Sequence, residues 1–199
     1  SSLGLIALDS KSGKKLWQHR LRVPAYLMDW GAGASPIVRG NRVYFCQDDD
    51  LASYVLALDT ESGQEVWRTP RNDMLAGYSL PVFCAADGQT DLVVAGSGKL
   101  KGYDPATGKE RWASHSLLRT IMTSPVVVKD KIFIAVQSYG DRSRTLKYAL
   151  LQWLDTDQDG NLAREETPKE FHAKFDLSDK NRDRRLDQDE IETAFQHPN

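Results

Sequence analysis

Cysteine, methionine and histidine are scarce in this 199-residue chain, which holds two, three and four of them. Two cysteines, Cys46 and Cys84, are too few for a disulfide-stapled scaffold, and both read as small buried hydrophobes in preference to a disulfide. His19, His115, His172 and His197 show no zinc-type pairing, so each reads as a surface or strand-end residue. No apolar run approaches the length of a membrane span. The net charge is −2, and no polybasic stripe marks a nucleic-acid surface. No serine, cysteine or acid pair stands out as a nucleophile. Gly96-Ser97-Gly98-Lys99 lacks the spacing of a phosphate loop and reads as a hairpin turn. No signal peptide is visible, and because the start reads as truncated, that says nothing about targeting.

Acidic residues, by contrast, are concentrated. Residues 155–199 hold 13 acids and 7 bases, net −6, while residues 1–154 hold 15 acids and 19 bases, net +4. Within the acidic part, Asp155 to Glu166 reads D-T-D-Q-D-G-N-L-A-R-E-E. A hard cation takes six to eight oxygens, so a loop that holds one places acids at alternate positions while its backbone wraps around a point. Asp155, Asp157 and Asp159 occupy positions 1, 3 and 5, Gly160 permits a left-handed turn, Asn161 offers its carbonyl, and Glu166 closes the site as a bidentate ligand. Asp179 to Glu190 repeats the pattern, with Asp179, Asn181, Asp183, the carbonyl of Arg185, and Glu190 in the same roles. Leu162 and Leu186 match, and are expected to pin the loops together by a short strand pairing.

The second loop departs at one position, where Arg184 replaces glycine; a left-handed non-glycine residue costs on the order of 1 kcal/mol. The first loop carries net charge −4 and the second −1, so a strong calcium site and a weaker one are expected. Thr167 to Ser178 separates the loops and predicts one short shared helix, with Thr167 as N-cap, Pro168 at the first helical position, and Phe171 and Phe175 on one face. Leu146 to Leu154 is expected to enter the first loop as a helix, and Glu190 to Gln196 to leave the second. These residues resemble the EF-hand family in a compact paired form. Met28, Met74 and Met122 all lie outside it, so nothing matches the Met-rich groove that a calcium sensor opens.

The rest of the chain repeats. L-I-A-L-D-S-K-S-G-K-K-L-W, V-L-A-L-D-T-E-S-G-Q-E-V-W and L-K-G-Y-D-P-A-T-G-K-E-R-W place their aspartates at Asp9, Asp59 and Asp104, their glycines at Gly13, Gly63 and Gly108, and their tryptophans at Trp17, Trp67 and Trp112. β-Branched runs split by turn residues lie between them. A period of roughly 40 to 50 residues with four strand signals per unit marks a β-propeller blade. In each copy an apolar strand is expected to end at the Asp, with the glycine turning at positive φ and the next strand bringing the Trp back across it. Each indole N–H should then reach a backbone acceptor. Asp48, Asp49 and Asp50 fall between two strand signals and read as an acidic hairpin tip.

The triple motif resembles the quinoprotein-type (PQQ-like) propeller repeat over residues 1 to about 140. Within that family, the resemblance implies, dehydrogenases bind pyrroloquinoline quinone beside a calcium and a disulfide between adjacent cysteines, while other members are noncatalytic scaffolds. Cys46 and Cys84 cannot supply the adjacent pair, so quinone binding is not expected of this segment. The expected architecture is mainly β: an open arc of four-stranded blades over residues 1–140 and a small α-helical EF-hand pair over 141–199, inserted within a blade. Two full blades are expected at about 35–70 and 79–115, with partial ones at either end and further blades in a longer parent protein. The leading functional expectation is a noncatalytic, calcium-binding propeller with an unassigned protein or small-molecule ligand on its face. Alternatives are a fragment of a quinoprotein dehydrogenase and a dockerin-like docking module. Family resemblance and calcium together imply a periplasmic or secreted location.

Overall fold

The computed structural model describes residues 4–26, 31–114, 123–135, 150–151 and 154–194. Its architecture is mainly β, and every strand pair is antiparallel. Strands β1 (Leu5–Leu8) and β2 (Lys15–His19) form a hairpin. The first four-stranded blade follows as β3 (Ile37–Arg39), β4 (Arg42–Gln47), β5 (Tyr54–Asp59) and β6 (Glu65–Pro70), each hydrogen-bonded to the next. The second is β7 (Val82–Ala86), β8 (Gln89–Gly96), β9 (Lys99–Tyr103) and β10 (Glu110–Ser114). A last hairpin joins β11 (Val126–Val128) to β12 (Lys131–Phe133). Both full blades therefore fall where the repeat puts them, and Ser97-Gly98 forms the β8–β9 turn.

Alternation of side chains along each strand decides what packs between the sheets. On β4 and β5, Val43, Phe45, Tyr54, Leu56 and Leu58 point to one face and meet Leu5, Trp17 and Leu21. Tyr44, Cys46, Val55 and Ala57 point to the other and meet Leu92, Val94 and Tyr103 of the second blade. Strand β5 is thus buried on both faces, which is why it reads as a continuous apolar run. Leu8, Leu16, Val126 and Phe133, on the outer hairpins, remain exposed.

The Asp-Gly-Trp repeat has two structural duties. Asp9, Asp59 and Asp104 each accept hydrogen bonds from the backbone N–H groups two and three residues on, closing the turn. Their carboxyls are held below the ordinary range; for Asp9 the Ser12 hydroxyl is the main cause, and for Asp59 the Ser62 N–H. For Asp104 burial opposes the shift, and the Ala106 and Thr107 N–H groups with Arg111 outweigh it. The second duty links sheets. Trp17 Nε1 donates to Thr60 O at 2.8 Å and Trp67 Nε1 to Pro105 O at 3.1 Å, each in the next copy of the motif. Trp112 differs, donating instead to the Asp91 carboxylate of its own blade at 2.7 Å. No following motif exists in this chain to supply a carbonyl.

Beyond the strands, two loops (155–166 and 179–190) and short helical pieces form the C-terminal part. These are β13 (Leu162–Ala163), 3-10 turns at Arg164–Glu166 and Lys169–Phe171, helix α1 (His172–Ser178), β14 (Arg185–Leu186) and helix α2 (Gln188–Ala194). The expected single helix over 167–178 is split, and Thr167 does not cap it: its hydroxyl donates back to Arg164 O at 2.8 Å. Proline at 168 lacks an N–H and sits extended at φ −61°, ψ 150°, so the helical turn starts only after it. Of the expected helix over 146–154, residues 150, 151 and 154 are described and helical, and the rest lie outside the described residues, as does the expected boundary at 140/141.

Candidate metal centre

Geometry in the two loops repeats bond for bond. In the first, Asp155 Oδ1 accepts the Asp159 N–H (3.2 Å) and Oδ2 the Gly160 N–H (2.9 Å); in the second, Asp179 accepts from Asp183 (3.2 Å) and Arg184 (2.9 Å). Asp159 Oδ1 accepts the Asn161 N–H at 2.8 Å, and Asp183 Oδ1 the Arg185 N–H at 2.8 Å. Glu166 Oε1 accepts from the N–H groups of Thr156 and Asp157 at 2.8 and 3.2 Å, and Glu190 Oε1 from those of Lys180 and Asn181 at 2.8 and 3.2 Å. Each glutamate, twelfth in its loop, is thereby drawn back to the loop's beginning.

Backbone conformation follows the same rule. Gly160 turns at φ 83° and Arg184 at φ 67°, so the arginine occupies the left-handed position that glycine fills in the first loop. Leu162 pairs with Leu186 and Ala163 with Arg185 in a two-stranded ladder, and the Arg164 N–H reaches Arg184 O at 3.0 Å. Both leucines are fully buried. Asp155 and Asp179 each follow a helical turn, their N–H groups bonding to Leu151 O and Phe175 O.

The carboxylate oxygens of Asp155, Asp157 and Asp159 lie within 4.8 Å of one another. Three negative charges that close repel unless a cation sits among them. For Glu166, burial would raise the carboxyl, but the Ala163 N–H, the Thr156 hydroxyl and N–H, and the Asp157 N–H outweigh it and hold the pKa down. In the second loop, Asn181 replaces an acid and its Nδ2 donates to Asp183 at 3.0 Å. The loops also exchange charge: Arg185 pairs with Asp159 at 3.1 Å and Arg184 with Glu165 at 2.6 Å.

Asp48, Asp49 and Asp50 require correction. They are no exposed hairpin tip; all three are buried. Asp48 takes a bidentate pair of bonds from Arg71, at 2.8 Å each, and Arg71 in turn donates to the Tyr103 hydroxyl at 2.6 Å. Asp49 pairs with Arg22 and accepts the N–H groups of Leu51 and Ala52 at 2.9 Å each. The Ala76 N–H donates to Asp50 Oδ1 at 3.2 Å. From the C-terminal part, Lys174 Nζ donates to Asp49 O at 3.0 Å. Nothing in the local sequence signals this cluster, because its cations come from 23 to 125 positions away.

Comparison with known proteins bears on the propeller. The family described as outer membrane protein assembly factor BamB matches residues 2–181. The chain belongs to this PQQ-like repeat family. Among curated relatives, the 1-butanol dehydrogenase (quinone) of Thauera butanivorans is 33% identical over 125 residues, covering 55% of this chain and 19% of that protein. The quinoprotein ethanol dehydrogenase of Pseudomonas aeruginosa is 34% identical over 125 residues, covering 54% of this chain and 19% of that protein. The chain thus spans about a fifth of the length of these relatives. A crystal structure of BamB from Moraxella catarrhalis superposes with a TM-score of 0.53 at 22% identity, covering 67% of this chain and 41% of that one, which shows a shared fold.

Proposed function

We propose that residues 155–190 are a paired EF-hand that binds calcium, set into a quinoprotein-type propeller. The observation that supports it most strongly is the duplicated hydrogen-bond pattern: two loops 24 residues apart converge the same side chains on the same backbone groups. Asp155, Asp157, Asp159, the carbonyl of Asn161 and Glu166 would hold the first ion. Asp179, Asn181, Asp183, the carbonyl of Arg185 and Glu190 would hold the second, more weakly, since that loop carries four bases and a strained Arg184. An ion bound to the folded chain adds RT ln(1 + [L]/Kd), about 2.7 kcal/mol at a hundredfold excess over Kd. Calorimetry of Asp155→Ala and Asp179→Ala variants tests the order. Loss of the tighter binding phase in the first and only the weaker phase in the second is expected; equal losses would overturn it.

For the propeller, the relatives favour a segment of a quinone-dependent alcohol dehydrogenase over a noncatalytic scaffold. In this reading the quinone's binding residues belong to other parts of a longer protein: Cys46 and Cys84 are separate, free and buried, and form no adjacent pair. Burial raises the Cys46 thiol well above its ordinary value, which makes it an inert core residue. Quinone absorbance in the purified full-length protein, with alcohol-dependent dye reduction, tests this reading, and a colourless, inactive protein after loading with the quinone would favour the scaffold. A docking role for the paired loops is disfavoured, because Phe171, Phe175, Leu162, Leu186 and Ile191 already pack on Leu51 and Leu75 of the arc. A periplasmic or secreted location accords with these relatives and with calcium binding.

A further inference from the structure

The loops and the propeller arc meet in one buried contact that neither the repeat nor the calcium pattern requires. Its apolar half is the packing of Leu51 and Leu75 into the core of the C-terminal part, beside Leu154, Phe171 and Phe175. Its polar half is Lys174, on α1 midway between the loops, buried to 5% exposure with Nζ on the Asp49 carbonyl. Burial pushes this lysine down to about 8, against the pull of Asp50, Asp49, Asp48 and Asp73. Three buried acids therefore face three cations, Arg71, Arg22 and Lys174, and the third cation comes from the helix that the two loops flank.

The receiving segments are tied to each other as well. Ser53 Oγ lies 2.9 Å from Asp49 O and 3.3 Å from Met74 O, the Gly77 N–H reaches Asp48 O at 3.2 Å, and the Arg71 N–H reaches Ser53 O at 2.8 Å. These bonds lie outside the strand ladders, so isolated backbone bonds, side-chain contacts and the packing of the C-terminal part hold the knot closed.

We propose that Lys174 is a latch linking calcium occupancy to the order of the propeller arc: ions in the two loops fix α1, and α1 through Lys174 and the Leu51–Leu75 contact fixes residues 48–53 and 71–77. This rests on the calcium reading and extends it from a local site to a device that stiffens the arc. Coupling of this kind is reciprocal, so whatever factor calcium adds to the closure of the knot, the closed knot adds to calcium affinity.

Hydrogen exchange of the full chain, with calcium and with chelator, tests it together with calorimetry. Calcium is expected to slow exchange in peptides spanning 155–190 and also, by about 5- to 50-fold, at the Asp50, Arg71 and Gly77 amides. Lys174→Met should retain calcium binding in both loops, lose the calcium effect at those three amides, and bind calcium more weakly by a similar factor. Lys174→Arg, which keeps the charge, should restore part of it. Slowing confined to 155–190 in the unmodified chain would overturn the latch while leaving the calcium sites standing, and needs no variant to fold. No calcium heat in the unmodified chain would instead overturn the calcium reading itself, and the latch with it.

Discussion

Gly13 and Gly63 occupy the same turn of the same repeat, at φ 69° and 68°, yet differ in what lies beside them. A Cβ at Gly13 meets nothing within 4 Å, whereas one at Gly63 would lie 2.5 Å from the Trp17 ring. Replacing each by alanine therefore separates backbone strain from steric conflict. Left-handed strain costs about 1 kcal/mol in both. Gly63→Ala adds the displacement of Trp17, whose Nε1–Thr60 bond fixes its position, and overpacking of this kind costs roughly 1–3 kcal/mol more. A gap of about 2 kcal/mol in a chain of this size shifts the melting midpoint by roughly 4–8 °C. Melting of Gly13→Ala and Gly63→Ala, followed by far-ultraviolet dichroism and tryptophan fluorescence at fixed calcium, measures it. Gly63→Ala should melt lower and perturb the fluorescence; equal midpoints would refute the reading that the Trp17 ring packed against Gly63 excludes a side chain there.

Three further outcomes follow from other contacts. Burial opposes ionisation of Asp73, but Lys99 and Lys101 outweigh it and hold the carboxyl at about 2, below its ordinary 3.8. Stability from this group is complete above the ordinary value and is lost as pH falls through about 2; discounted for solvent screening it amounts to about 1 kcal/mol, and urea unfolding of the unmodified chain against Asp73→Asn should show roughly half the difference gone by pH 3. Trp67→Phe removes one of two donors to the Pro105 carbonyl, leaving the Tyr44 hydroxyl at 3.3 Å, and should cost about 0.5–1.5 kcal/mol by urea unfolding. Phe175→Ala removes a fully buried ring from the core shared with Leu51 and Leu75, for about 3–5 kcal/mol, while Leu177→Ala two residues on, exposed, should stay within about 0.5 kcal/mol in the same assay.

The blades were legible because their determinants are local. Alternating apolar residues in β4 and β5 assign each side chain to one of two sheet faces, and Asp59-Gly63 closes its own turn within five residues. Candidate ligands in 155–166 and 179–190 were legible for the same reason, since the backbone N–H groups that Asp155, Glu166, Asp179 and Glu190 accept all lie inside the same twelve-residue loop. The helix between the loops was only half legible. Thr167-Pro168 carries a capping signal, but the hydroxyl found a nearer acceptor in Arg164 O, and the helical stretch divided after the proline.

Sequence alone determined the repeat, its turns and the paired acidic loops, whereas which acceptor each motif tryptophan reaches, Thr60 O, Pro105 O or the Asp91 carboxylate, was settled by the fold. Tertiary structure alone decided the fate of Asp48, Asp49 and Asp50, which composition places in water and the fold buries among Arg22, Arg71 and Lys174. It also decided that the C-terminal part shares a core with the arc. The physical reason is range: a turn or a strand face is fixed by neighbours a few residues away, whereas burying a charge depends on a counter-charge brought in from a distant segment, which no local pattern encodes.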